Sequence, residues 1–244
     1  MRLRASVAVA ALAVSCGALL IASGAVAGAA AASAKQIVMN SIAASKTASS
    51  VRVVGSVISG SQTIGLSVSA SDANQGHGTI TINGGVVKIV RHGASVYFNA
   101  NATFWSQSGG AAAAGFAGQW VSTSATGTDG KSFSEFLGSA ALFKQIFSGS
   151  NVSESTFVLE HNTIVSGVRV YAITATNTTD GTTGVVYIAR TGKPYIVELT
   201  KTEKTDSSKL VFSAYNQPVH AKVPPHSITL KKLEQEAAAN AAAG

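Results

Sequence analysis

The sequence predicts an α+β fold, in which a long antiparallel sheet presents one apolar face and a few helices cover it. Gly accounts for 24 of the 244 residues and charged residues for only 12%, a composition typical of many short strands joined by tight turns. Segments that alternate apolar and polar residues lie on both sides of a clear helical pattern. This order of strands, helix and strands indicates one continuous meander with a helical insert.

The first 34 residues have the features of a secretory signal peptide. Arg2 and Arg4 precede a long apolar stretch, and no further charge occurs before Lys35. Small residues suitable for cleavage follow, and we expect cleavage after Ala34 or, as the alternative, after Ala27. An uncleaved leader is also long enough to span a bilayer. The protein is therefore expected to be exported, to the cell envelope or the extracellular space.

Cys16 is the only cysteine of the chain and lies inside this leader. The residues from Ala13 to Cys16 loosely follow a bacterial lipobox, although Ala13 stands where a Leu is expected, and the apolar run continues past the cysteine. Lipidation of Cys16, which would anchor the protein, stays an alternative to a plain cysteine in an apolar leader. Residues 35–244 hold no cysteine, which excludes disulfides and thiolate sites there.

Residues 35–99 predict a helix followed by five strands. Residues 35–50 have a modest apolar face at helical spacing, which includes Ile37, Val38 and Ile42. Alternating and β-branched residues then predict strands over residues 51–58, 62–69, 77–82, 86–91 and 94–99. Asn83-Gly84 predicts a two-residue hairpin turn, because these residue types accept the positive φ angles that such a turn requires.

The middle of the chain predicts one irregular segment and one long helix. Residues 101–128 hold Phe104-Trp105 and an Ala/Gly run, and predict a floppy loop or a mobile flap. Ser132 and Glu135 have the spacing of a capping box. The helix that they predict runs to Phe147 and carries an aromatic stripe, which indicates packing in the core.

The second half predicts six further strands and a tail. The strands are predicted over residues 156–160, 168–175, 183–189, 195–203, 209–215 and 219–223. Residues 226–244 have high helix propensity, but Leu230, Leu233 and Ala237 form only a thin apolar stripe. We expect residues 35–225 to form the domain and residues 226–244 to form a helical or disordered tail.

No residue pattern predicts catalysis. The sequence has no nucleophile elbow, no S-x-x-K pair and no Gly-rich nucleotide loop. We therefore expect no enzyme activity, no cofactor and no metal ion. The five histidines lack the spacing of a metal-binding pair: His77, His92, His161, His220 and His226.

The charges of the chain are scattered, with a formal net charge of +7. There is no stripe of Arg and Lys interleaved with aromatic residues, which argues against a nucleic-acid partner. Attraction to an anionic membrane surface stays open, and we expect a monomer. Because the helices are too few to cover a long apolar sheet face, an apolar cavity suited to acyl chains is expected between sheet and helices.

A series of short motifs occurs in a defined order between residues 35 and 225. They are SVRVVG (50–55), GHGTI (76–80), VVKIV (86–90), VYF (96–98), FW (104–105), QWV (119–121), GKPYIV (192–197), FSAYNQPV (212–219) and VP (223–224). In order and spacing, this series resembles the actinobacterial LppX/LprG-type lipoproteins, whose fold is similar to that of the LolA/LolB lipoprotein carriers.

The resemblance implies a strongly curved antiparallel sheet, a half-barrel, with helices packed on its concave face. It also implies that a hydrophobic cavity binds lipids or lipidated glycans and that the protein carries them across the cell envelope. Members of the family are generally anchored through a lipidated cysteine. The imperfect motif at Cys16 is the main departure from the family pattern.

No individual ligand contact follows from the resemblance, so the predicted binding residues are apolar side chains assigned to the concave side by strand or helix face. The alternative function is a non-carrier envelope protein, a sensor or assembly factor whose own Phe and Trp side chains close the core. A secreted hydrolase comes third, and it would need a polar cleft that gathers His with carboxylates. The predicted binding residues are Leu66, Val68, Ile80, Ile82, Ile89, Phe98, Phe136 and Phe143.

Overall fold

A twelve-stranded sheet is the framework of the computed structural model, which describes residues 33–109, 111–147, 154–202 and 206–242. Cys16 and nearly all of the predicted leader lie outside the described residues. The strands are β1 (Ser50–Ser59), β2 (Gln62–Ser71), β3 (Gln75–Ile82), β4 (Gly85–His92), β5 (Ser95–Ala100), β6 (Trp120–Ser124), β7 (Ser155–Val165), β8 (Val168–Asn177), β9 (Thr183–Ala189), β10 (Ile196–Thr202), β11 (Asp206–Ser213) and β12 (Ile228–Thr229). The helices are α1 (Ala34–Lys46), α2 (Ala102–Gly109), α3 (Thr128–Leu137), α4 (Ser139–Ile146) and α5 (Leu230–Ala242), with a 3₁₀ helix at Ala111–Phe116.

Two antiparallel meanders meet at the centre of the sheet, where β1 pairs with β11. The strand order is β12-β6-β5-β4-β3-β2-β1-β11-β10-β9-β8-β7. The predicted single meander is therefore wrong. The segment between β6 and β7 must cross from one side of the sheet to the far edge, and α3 and α4 lie on this crossing. Strand β12 pairs with β6 in parallel.

The helices cover one face of this sheet. Helix α1 contacts β7, β9 and β10, whereas α3 contacts β2 to β6. Helix α3 buries Phe133, Phe136 and Leu137, and α4 buries Leu142 and Phe143. Burying one such side chain contributes about 1.5–3 kcal/mol. The predicted fold class, a curved antiparallel sheet with helices on its concave face, is confirmed.

The first five predicted strands form with bounds within two residues of the prediction. In β1, Val53 is fully buried and Arg52 is exposed, as the two-residue period of a strand requires. The predicted hairpin turn is also confirmed, because Asn83 and Gly84 have φ angles of 47° and 83°.

The described residues between 101 and 128 form α2, the 3₁₀ helix and β6, so the predicted irregular loop is wrong. Helix α2 begins after Asn101, whose side-chain oxygen accepts a hydrogen bond from Phe104 N at 3.0 Å and caps the helix. Phe104, Trp105 and Phe116 are all buried. Burial of these three rings stabilises the segment and so offsets the entropy that its Ala/Gly run loses when it becomes ordered.

The predicted capping box is also wrong. Ser132 and Glu135 lie inside α3, which begins at Thr128 after Gly127 and has no side-chain cap. Ser134, also inside the helix, donates to Ala125 O at 2.9 Å. The helix then stops at Gly138, whose extended backbone separates α3 from α4. Asp72 caps the second helix from a distant loop, because its Oδ1 accepts from Ala140 N at 3.1 Å.

The C-terminal half differs from the prediction in several places. Strand β7 is 11 residues long rather than five and lies at one edge of the sheet. Residues 219–223 form no strand, and the Gln75 side chain accepts a hydrogen bond from Ala221 N at 3.2 Å instead. Near the C-terminus, β12 pairs with β6 and Leu233 of α5 is fully buried. Leu233 therefore anchors α5 to the rest of the protein, although the apolar stripe of this helix is narrow.

A glycine on β3 allows α3 to approach the sheet closely. A Cβ atom at the buried Gly76 would lie 2.8 Å from Leu137 Cβ and 2.9 Å from Leu137 O. Leu137 is itself fully buried at the end of α3. The absence of a side chain at Gly76 therefore determines how near the helix can lie.

Replacing Gly76 tests this close contact. Gly76→Ala should lower the free energy of unfolding by about 1–3 kcal/mol, because overpacking forces the helix away from the sheet. Urea denaturation measures the change. Gly65→Ala is the matched control, since a Cβ atom there would lie at an ordinary 3.4 Å from Thr81 Cβ. Equal effects of the two substitutions would contradict the proposed role of Gly76.

Candidate functional site

Cross-strand pairing arranges the inward side chains of the concave face in rows. The central row is Phe98, Ile89, Gly78, Val68, Val53 and Phe212. The second row is Val87, Ile80, Leu66, Gly55, Leu210 and Leu199. All the large side chains in these two rows are buried beneath the helices. The two rows therefore form the floor of the space between sheet and helices.

The structure brings the eight predicted binding residues together on this concave side. All but Ile82 belong to one buried cluster, and Ile82 is partly buried and packs against it. Their predicted inward orientation agrees with their burial. A role in ligand binding stays a prediction, because these residues contact other side chains of the chain itself.

Aromatic side chains from the helices fill the central part of the concave side. The rings of Phe98 and Phe133 are stacked with their centroids 5.1 Å apart. Phe143 of α4 stacks on Phe212 of β11 at 5.7 Å. Each helix therefore occupies, with its own rings, the space that a ligand on the central row would need.

A third row, the rim row, lies nearer the turns that join β1 to β2 and β3 to β4. It contains Val57, Ile64 and Ile82, which pair directly across β1, β2 and β3. These side chains are only partly buried, unlike those of the two deeper rows. Ser208 and Lys201 continue the row on β11 and β10. Cover by the described helices thus decreases toward this end.

An aromatic pocket lies where α2, α3 and the start of α5 converge. Nothing in the sequence indicated that Phe133 and Leu230 would lie beside Phe104 and Trp105. The enclosed space is only about 10 Å³, room for at most one water molecule. The lining residues are Phe98, Phe104, Trp105, Ser108, Asp129, Phe133 and Leu230.

An open groove lies beside β5, β6 and β12 at the edge of the sheet. Its volume is about 420 Å³, within the size range of ligand sites. Leu230 lines both spaces. Hydroxyl side chains dominate the groove lining, which consists of Ala94, Ser95, Ser122, Thr123, Ser124, Thr229, Leu230 and Lys231.

A larger polar groove, of about 590 Å³, lies at the end of the sheet opposite the rim row. His92 and His220 both line it, but no carboxylate does. Polar groups in its lining already form hydrogen bonds within the protein. For example, Ser50 Oγ donates to Gln217 O at 2.6 Å. The arrangement lacks the acid–base pair that a hydrolase would use.

A stack of tyrosines also lies at this end of the sheet. The Tyr195 and Tyr215 rings are 4.1 Å apart and nearly parallel. Tyr215 Oη donates to Ile196 O at 2.7 Å. Burial raises the pKa of the Tyr215 phenol, against the opposing effect of a hydrogen bond with Ser45. Tyr215 is thus held neutral in the folded protein over a wider pH range than a free tyrosine.

The described residues contain no cluster of three or more His, Cys, Asp or Glu side chains able to hold a metal ion. None of the described helices is both long and apolar enough to cross a membrane.

Comparisons with known proteins find similarity among solved structures only. No family model and no curated protein sequence matches the chain. LprF from Mycobacterium bovis is 14% identical, covers 82% of this chain and 100% of its own, and has a TM-score of 0.49. Lipoprotein LppX from Mycobacterium tuberculosis is 18% identical with a TM-score of 0.47, over 78% of this chain and 98% of its own. A LolA superfamily protein from Nitrosomonas europaea is 10% identical with a TM-score of 0.24, over 80% and 96%.

The resemblance to LppX-type proteins that the sequence predicted is thus confirmed as a structural similarity, since LppX is among these structures. The TM-scores are all below 0.5, so the fold assignment given above rests on the strand order and burial of this chain. The similarity by itself identifies no ligand and no binding residue.

The raised pKa of Tyr215 predicts a loss of stability in alkali. Above pH 10 the phenol ionises in the unfolded chain but stays neutral in the folded one, so the free energy of unfolding falls by up to about 1.4 kcal/mol per pH unit. Tyr215→Phe should remove this part of the slope and cost about 1 kcal/mol at neutral pH through the lost hydrogen bond. Urea denaturation from pH 8 to 11.5 measures both, and an unchanged slope in the variant would exclude Tyr215 as its source.

Proposed function

We propose that this protein is an exported carrier of the cell envelope, which binds an acyl lipid or lipidated glycan on the concave side of its sheet. The observation that carries the proposal is the rim row. Val57, Ile64 and Ile82 are aligned apolar side chains that face the concave side without full cover. An acyl chain lying along this row would remove apolar surface from water, at about 25 cal/mol per Å².

The helix layer supports the same proposal. Helices α3 and α4 are only 10 and 8 residues long and are separated at Gly138. Short helices that contact a sheet through a few large side chains can be displaced while the sheet stays intact. The filled concave side is then the unloaded form of the carrier, in which helix side chains occupy the place of the ligand.

The resemblance drawn from the sequence supports the ligand class, since LppX/LprG-type lipoproteins imply binding of lipids or lipidated glycans. We propose that the role is non-catalytic and that the partner is the lipid itself, delivered at a membrane surface. The proposal also includes how the protein is exported: the signal peptide is cleaved after Ala34 or Ala27, or the protein is anchored through a lipidated Cys16.

A second candidate function is a non-carrier envelope protein, a sensor or assembly factor. The observation that favours it is the aromatic pocket, where only about 10 Å³ is left among the described side chains. A core that stays closed in this way would leave no room for an acyl chain. The two candidates differ in one property, the capacity to take up an apolar ligand.

Ligand uptake distinguishes the two candidates. Native mass spectrometry of protein from the membrane and medium fractions should detect co-purifying acyl lipid, and its mass would also report lipidation of Cys16. Delipidated protein should then bind a fluorescent fatty acyl probe. If no lipid co-purifies and no probe binds, the closed-core function is correct and the carrier function is wrong.

A pair of neighbouring substitutions tests the position of the ligand. Ile82→Glu places a charge on the concave face, where burying it against an acyl chain is costly, and should weaken probe binding by at least about tenfold. Thr81→Glu is the matched control, because Thr81 faces the opposite side of β3 and should leave binding unchanged. Fluorescence titration measures both affinities. An equal loss in both variants would place the ligand elsewhere.

A further inference from the structure

The open groove of about 420 Å³ lies mainly on the convex face of the sheet, away from the helices. Ser95 and Ser124 line this groove and are directly paired across β5 and β6. On the same two strands, Phe98 and Val121 belong to the buried core. Side chains alternate between the two faces of a sheet, so both serines face the side opposite to the core.

The larger polar groove lies on the same face, at the same end of the strands. Its lining residues Gln75 and His92 are a direct cross-strand pair, and so are Ser50 and Ser71. His92 is also paired with Ser95, which lines the smaller groove. Residues that pair directly lie on one face of a sheet. Ser95, His92 and Gln75 therefore form a continuous polar row that connects the two grooves.

The two grooves together, called the polar cleft below, run across the strands and not along one of them. The cleft extends from β12 to β1 over seven neighbouring strands, which makes it about 29 Å long at the usual strand spacing. This shape suits an extended chain. A bound peptide would need an open strand edge for its backbone hydrogen bonds, whereas β1 to β5 are paired on both sides.

Hydrogen bonds within the protein fix the outer wall of the polar cleft, which residues 216–221 form. Asn216 Oδ1 accepts from Ser49 N at 2.9 Å, and Gln75 Oε1 accepts from Ala221 N at 3.2 Å. A wall that is already in place before a ligand arrives lowers the entropy cost of binding. The cleft is therefore preorganised along its larger groove.

The free polar groups of the cleft match the hydroxyl groups of a sugar. His92, Gln217 and His220 are exposed and form no side-chain hydrogen bond with any described residue. Imidazole and amide side chains both donate and accept hydrogen bonds, as sugar hydroxyls do. No Asp, Glu, Lys or Arg lines the larger groove. The neighbouring Asp72 instead faces α4, where its Oδ1 accepts from Ala140 N.

An aromatic ring borders the connecting row. Tyr97 lies two residues from Ser95 on β5, so its partly exposed side chain projects from the same face. The apolar face of a sugar ring can pack against the phenol, while the hydroxyl groups of the sugar contact His92. The convex face thus offers both kinds of contact that a carbohydrate needs.

We infer that the polar cleft binds a neutral, extended polysaccharide. This inference goes beyond the carrier function and does not depend on it, because the cleft and the rim row lie on opposite faces and at opposite ends of the sheet. A protein held by a polysaccharide in this way keeps its concave side free. Binding strengthens with the length of the polysaccharide chain, since a longer chain fills more of the cleft.

Affinity electrophoresis of the exported protein tests this inference. Separate gels contain dextran, laminarin, mannan or arabinogalactan as neutral polysaccharides, and alginate as an anionic one. At least one neutral polysaccharide should retard the protein, with a retardation that persists at high salt because it does not arise from charge. Retardation by none of the four, or by alginate alone and only at low salt, would overturn the inference.

Substitution of the unpaired histidines tests the position of the polysaccharide. The double variant His92→Ala, His220→Ala breaks no hydrogen bond between described residues and should weaken binding by at least about tenfold. His161→Ala is the matched control, because His161 is exposed on the distant edge strand β7, and it should bind like the wild type. Equal binding by the wild type and the double variant would overturn the inference.

Uptake of the fluorescent acyl probe separates this inference from the carrier function. The double variant should take up the probe like the wild type, since neither histidine lies on the concave side. If the wild-type protein binds a neutral polysaccharide but no probe, the cleft is confirmed and the carrier function fails. If it binds the probe but no polysaccharide, the carrier function stands and the cleft is wrong.

Discussion

The need to cover one apolar sheet face determines most of this structure. The sheet has twelve described strands, and its centre alone presents two rows of buried inward side chains. No single helix is wide enough to shield such a surface from water. The chain meets this need with its own connection: the crossing from β6 to the far edge at β7 passes over the concave face as α3 and α4. The residues that connect β6 to β7 therefore also cover the apolar face of the sheet.

Polar anchors hold helices α1 and α4 at one end of the sheet. Ser139 Oγ donates to Ala48 O at 2.7 Å, Asp72 caps α4, and Ser45 Oγ accepts from Ile196 N at 3.2 Å. All three lie at the end of the sheet that also carries the tyrosine stack. Beside the rim row, Gln107 Nε2 of α2 donates to Asn83 O at 3.2 Å. Directional hydrogen bonds thus fix described helices at both ends of the sheet, whereas the contacts over its two deeper rows are apolar.

The sequence predicted local patterns well and long-range packing poorly. Two-residue alternation and Asn83-Gly84 determine the strands and the turn through short-range sterics, so both were predictable. The caps at Asn101 and Asp72 were missed, the latter because the cap and its helix are 68 residues apart. Likewise, inward orientation of the eight predicted binding residues followed from strand and helix faces. Nothing in the sequence indicated that Phe133 and Leu230 would enclose Trp105, since that depends on how α3 and α5 are placed.

The free edge at β7 has a consequence for handling such a protein at high concentration. Val158, Leu159 and Ile164 are exposed on this edge, which would normally invite a foreign strand to pair with it. The register shifts between Leu159 and His161, leaving Glu160 as an extra, charged residue at the middle of the strand. Such a bulge bends the edge and interrupts its ladder. A strand added at this edge could pair with only half of β7, so the bulge should hinder the growth of fibrils.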